Sequence, residues 1–150
     1  MRPMPSGIFR IIETRIDTGQ VIAAIEGPDA GAVALFVGNV RGEDQGRSVL
    51  RLEYDAYAPM AERVMAGIGE EIVSRFGDCR VAMVHRIGRL EVGETSVVVA
   101  VAAAHRSPAL EACRYGIERL KAVVPIWKKQ CFEEGEVWLE NPIGSHEHEP

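Results

Sequence analysis

Val97-Val98-Val99-Ala100-Val101-Ala102-Ala103-Ala104 runs straight into His105-Arg106-Ser107-Pro108. Eight apolar residues in a row, rich in β-branched valine, predict a buried strand over 95–104. Ser107 is suited to cap the helix that follows, with Pro108 at its first position, where a missing N–H costs nothing. That helix carries an apolar stripe of Leu110, Cys113, Ile117, Leu120 and Val124 and is stopped by Pro125. The same eight residues are also the longest apolar run in the chain. They fall far short of the roughly 20 needed to span a bilayer.

Outward from this unit, strands and helices follow one another. Residues 9–16 predict a strand. Asp17 or Thr18 caps a short helix through Ile25, ended by Gly27-Pro28. Residues 32–40 predict a buried strand. Residues 49–57 predict a half-exposed one, with Leu50, Leu52 and Tyr54 on one face. A helix from Pro59 to Gly77 shows Met60, Val64, Ile68, Ile72 and Phe76 at four-residue spacing, although Gly67 and Gly69 weaken it. Residues 80–87 predict a strand, 88–94 a turn, and 126–132 and 137–140 two short closing strands. The polar segment 41–48 predicts a loop, and the acidic segment 141–150 a frayed tail. The sum is an α+β fold with a mostly antiparallel sheet and two main helices, one domain over 1–140.

Composition narrows the function. The chain has 150 residues, 47% of them hydrophobic, and a formal charge of −5. That charge disfavours nucleic acid or an anionic membrane as partner. The excess is local: residues 132–150 hold six acids and no Lys or Arg, leaving 17 basic and 16 acidic groups before them. Three widely spaced cysteines without a Cys-x-x-Cys pair predict buried thiols, not a disulfide framework or zinc site. His146-x-His148 lies in the acidic tail and is taken as solvated rather than metal-binding. With no apolar leader at the start, a cytoplasmic setting is the expectation.

All three lysines fall at Lys121, Lys128 and Lys129, against fourteen arginines elsewhere. A wheel at about 100° per residue, with Leu110 at zero, puts Lys121 near 20°, at the edge of the apolar stripe. A lysine beside apolar surface and another cation has a destabilised charged form and can serve as acid, base or nucleophile. The competing reading is a lysine that snorkels to water. Beyond Pro125, strand alternation puts Lys128 on the face of Ile126, the side of Lys121, and Lys129 on the other. Arg41, after the strand 32–40, and His105-Arg106, before the helix, are strand-end cations that suit an anionic ligand. His85 is read as structural.

The blocks 31–42, 52–61, 84–88 and 104–107, with Leu120-Lys121 and Val124-Pro125-Ile126-Trp127-Lys128-Lys129, together resemble the large, catalytic subunit of molybdopterin synthase. The resemblance runs in order over about residues 30–140. It implies a sulfurtransferase of molybdenum cofactor biosynthesis, with an α+β fold that includes a hammerhead-type β motif. The substrate would be cyclic pyranopterin monophosphate. The sulfur would come from a small ubiquitin-like carrier subunit ending in a Gly-Gly thiocarboxylate, seated at each end of a homodimer. No metal, cofactor, nucleic acid or membrane is implied.

Position by position, the resemblance makes Lys121 and Lys128 catalytic. It makes Asn39, Val40, Arg41, His105, Arg106, Lys121, Lys128, Lys129 and Gln130 substrate-binding, and puts Phe36 near the pocket or the donor tail. Asn39 departs from the basic residue frequent there, so the resemblance does not carry over a charged phosphate contact at that position. Two rival readings are a non-catalytic anion-binding regulatory domain on the same fold and a lysine Schiff-base enzyme acting alone.

Overall fold

A computed structural model describes residues 7–133 and 135–139. In chain order the elements are β1 (Gly7–Ile12), α1 (Thr18–Ile25), β2 (Ala32–Asn39), β3 (Glu43–Asp44), β4 (Arg47–Ala56), α2 (Ala58–Phe76), β5 (Cys79–Arg86), β6 (Gly88–Glu91), β7 (Thr95–Ala103), α3 (Arg106–Val123), β8 (Ile126–Phe132) and β9 (Gly135–Leu139). They form an α+β fold with two sheets. The first has the order β1-β5-β7-β2; the second runs β3-β4-β8-β9, with β6 also paired to β4. Among the described residues only β1 and β5 pair in parallel; every other pair is antiparallel.

The valine run is the middle of the first sheet. On one face, Val97, Val99 and Val101 pack under α2 and α3 with Met65, Ile68, Ile72 and Leu120. On the other, Val98, Ala100 and Ala102 lie under Val21 and Ile25 of α1. An unbroken apolar run is what a strand covered on both faces requires. A third cluster of Val40, Val49, Leu52, Leu90 and Phe132 closes the second sheet.

Differences from the expected pattern have local causes. Residues 88–94 are not all turn, because Gly88–Glu91 pairs with β4. The 41–48 loop contains the two-residue strand β3. Leu50 is exposed, because a register shift between Val49 and Arg51 leaves it unpaired against β8. His105, not Ser107, occupies the N-cap of α3, and its side chain makes no capping bond. In α2 the buried residues are Ala61, Met65, Ile68, Gly69 and Ile72, with Met60 exposed. The tail 141–150, including His146 and His148, lies outside the described residues, as does Glu140.

Two glycines of α2 should respond oppositely to alanine. A Cβ on Gly67 would meet nothing within 4 Å, whereas one on Gly69 would overlap the Phe9 ring that packs against the core. Gly67→Ala is expected to stabilise by up to about 1 kcal/mol through helix propensity. Gly69→Ala is expected to destabilise by roughly 1–3 kcal/mol through overpacking. Denaturant midpoints of both variants check the pair; a matching sign would refute the packing described.

Candidate active site

The site begins at the corner between α3 and β8. The helix ends at Val123; Val124 is fully buried and its N–H donates to the Leu120 carbonyl at 3.1 Å. Pro125 has no N–H to continue the helical ladder, and the chain leaves as β8. Antiparallel pairing then sets Lys128 opposite Tyr54 and Gln130 opposite Leu52. Alternation turns Lys128 and Gln130 to one face of β8 and Lys129 to the other.

Lys128 and Gln130 face a cavity of about 220 Å³ between the two sheets. Lys121 enters it from the last turn of α3, Phe36 and Asn39 from β2, and Arg41 from the loop after β2. Gly38 lets this wall form. A Cβ there would lie 2.8 Å from Val97 Cγ1 and 3.3 Å from the Phe36 ring. Asn39 is tied down, its Oδ1 accepting from Thr95 Oγ1 at 2.8 Å.

Val40 is adjacent but does not line the cavity. It is buried in the second sheet's core, and its backbone bonds to Glu94 and Gly93 hold Asn39 and Arg41 on either side. Lys129 lies on the opposite face of β8, 3.2 Å from Glu53, 3.3 Å from Glu136 and over the Trp138 ring. Hydrogen bonds to Glu53 and Glu136 hold its amine above the ordinary lysine value. His105 and Arg106 are exposed at the start of α3. Fifteen residues of helix separate Arg106 from Lys121, about 22 Å at 1.5 Å per residue.

The position of Lys121 has a different cause from the one expected. The buried face of α3 is Ala109, Ala112, Cys113, Gly116 and Leu120, while Leu110 is 61% exposed. That face shares Cys113 and Leu120 with the expected stripe but is rotated from it by about 60°. Small residues line it because the helix sits close to the sheet: a Cβ on Gly116 would be 3.1 Å from Met83 and 3.4 Å from Val99. Lys121 is exposed and reaches the cavity because β8 folds back past the end of its helix.

Tyr54, Ser96, Glu43 and Asp44 also line the cavity, and sequence reasoning did not raise them. Tyr54 had a signal, since it alternates with Leu52. Asp44 had none, in a segment read as loop. His85 is buried behind the cavity, its ring 4.9 Å from that of Tyr54 in an edge-on contact. Its Nδ1 lies 2.8 Å from the Arg86 carbonyl, which can only accept, so the neutral ring donates there. Burial pushes the His85 pKa down to about 4; the Arg86 carbonyl opposes this, and the Lys121 and Lys128 charges add to it.

A depressed histidine pKa means that the unfolded chain binds the extra proton first. His85 thus contributes stability that is complete above about pH 6.5 and is lost as pH falls toward 4, by roughly 3 kcal/mol at most. Denaturant midpoints at pH 7, 5.5 and 4 should fall less steeply for His85→Gln than for the parent. Identical slopes would contradict a buried neutral imidazole.

Comparison with known proteins places the chain in a family. The sequence profile of the family described as "MoaE protein" matches residues 11–123. A Halalkalibacterium halodurans protein named molybdopterin synthase catalytic subunit is 48% identical over 136 residues, 91% of this chain and 87% of its own. A human protein of the same name is 41% identical over 134 residues, 89% of this chain and 71% of its own. The crystal structure of molybdopterin synthase from Staphylococcus aureus superposes with a TM-score of 0.85 at 39% identity, covering 91% of this chain and 98% of that one. A complex of subunits 1 and 2 of molybdopterin-converting factor from Helicobacter pylori gives 0.70 at 25% identity, over 92% and 94%. With most of its length matched by the family profile and by close relatives, the chain belongs to the MoaE protein family.

Proposed function

We propose that this chain is the catalytic subunit of a molybdopterin synthase, moving sulfur from a thiocarboxylated small subunit to cyclic pyranopterin monophosphate. The observation that carries the reading is the meeting of Lys121, Lys128, Arg41 and Gln130 around one cavity in a chain of this family. Both reactants are anionic. Arg41 offers a planar fork for the substrate phosphate, and Gln130 an amide donor. The amines of Lys121 and Lys128 attract the thiocarboxylate.

The residue types suit the chemistry. Lys121 supplies and removes protons as sulfur attacks and water leaves, or bonds transiently to the donor carbonyl. Lys128 stabilises negative charge developing on oxygen. Phe36 offers an apolar wall to the slender Gly-Gly tail of the donor. The sulfur arrives on the donor, so no cysteine of this chain is needed; Cys79, Cys113 and Cys131 are all buried. No helix among the described residues is long and apolar enough to cross a membrane.

His105 and Arg106 cannot serve the Lys121 cavity of their own chain across the length of α3. In a homodimer they serve the cavity of the second copy. Lys129, already neutralised by Glu53 and Glu136, supports β8 rather than touching substrate.

Two measurements test this. Lys121→Ala should lower dithiolene formation by at least about 100-fold while leaving folding and small-subunit binding intact. Near-normal conversion would remove Lys121 from catalysis, and intact anion binding without conversion by the parent chain would favour a regulatory domain. Mixing inactive Lys121→Ala and Arg106→Ala chains should restore roughly a quarter of parental activity, because half of the dimers are mixed and each holds one intact site. No recovery would place Arg106 in its own chain's function.

A further inference from the structure

Asp44 lies on the groups to which the proposed function gives the substrate phosphate. It ends β3, next to a two-residue turn in which Gln45 and Gly46 have φ of 53° and 80°. One carboxylate oxygen accepts from Gln130 Nε2 at 2.8 Å, and the other lies 3.7 Å from Arg41 Nη2. The carboxylate thus bridges the two side chains in the way a bound oxyanion would.

Such a bridge either orders Arg41 and Gln130 for substrate or competes with substrate for them. The geometry favours competition. The Arg41 side chain is 70% exposed, and an ion pair of this length to so exposed a guanidinium does little to fix it. Asp44 is only 18% exposed and brings a full negative charge into the cavity wall. Among the described residues that wall has three cations, Arg41, Lys121 and Lys128, against two carboxylates, Glu43 and Asp44. Within one chain the surplus is therefore a single positive charge, to which the Arg106 of a second copy would add in the proposed dimer.

We infer that Asp44 is a specificity-determining residue whose carboxylate acts as a built-in anion on Arg41 and Gln130 and must be displaced by an incoming phosphate. Simple anions bear the full cost of that exchange. A ligand that also fills the rest of the cavity offsets it with further contacts, so Asp44 discriminates for the whole substrate against free phosphate. The inference rests on the reading of the cavity as a phosphate-ester site, but the competition itself requires only that Arg41 and Gln130 bind anions.

The test is calorimetric titration of inorganic phosphate into the full chain at fixed ionic strength. Asp44→Asn keeps the shape and an oxygen for Gln130 but removes the charge. It should bind phosphate roughly three- to tenfold more tightly than the parent. Adding Arg41→Ala should cancel the gain. Asp44→Ser repeats the measurement should the Asn variant melt early, because neither loss of structure nor loss of a scaffold tightens binding. Equal or weaker binding by the charge-removed variants, or no measurable phosphate binding by any of them, overturns the inference. Parallel conversion of cyclic pyranopterin monophosphate with thiocarboxylated small subunit separates the two claims. Tighter phosphate binding without conversion by the parent chain refutes only the proposed function; conversion by the parent without tightening refutes only the role of Asp44.

Discussion

The site depends on one corner. Val124 is buried under the end of α3, and Pro125 cannot extend the helix, so the chain must reverse between Val123 and Ile126. That reversal brings a lysine from the last helical turn and a lysine from the following strand to one cavity, seven residues apart in sequence. The pairing of β8 with β4 then fixes which side of the strand faces inward. A shift of one residue in that register would turn Lys129 to the cavity and Lys128 away from it.

The two adjacent lysines of β8 show how one strand separates structure from chemistry. On the outer face, Lys129 is held by Glu53 and Glu136 and stacks over Trp138, which consumes its charge locally. On the inner face, Lys128 joins Lys121 and Arg41 in the cavity wall. The net charge of −5 therefore says little about ligands. What matters is that the neutralising acids Glu53 and Glu136 lie on the far side of β8.

The fold was legible where pattern and burial coincide. The valine run, covered on both faces, needs no information beyond its own composition. Alternation in β8 separated Lys128 from Lys129 because period-2 geometry is local. The buried face of α3 was not legible. The stripe of larger apolar residues pointed toward Leu110, whereas close approach to the sheet selects Ala109, Ala112 and Gly116. Lys121 was singled out, but by a helical wheel that did not describe its surroundings. Asp44 and the distance between Arg106 and Lys121 depend on how separate elements meet, which no short window of sequence encodes. The resemblance gathered residues from both ends of α3 into one list, and only the length of the helix shows that they cannot meet within one chain.

The central claim is that this chain, with its donor, makes dithiolene. The most direct measurement incubates the purified full chain with cyclic pyranopterin monophosphate and the small subunit in two forms, one ending in thiocarboxylate and one in carboxylate. Dithiolene product is expected with the thiocarboxylate form and none with the carboxylate form. Product absent from both, with the small subunit stably bound, would contradict it.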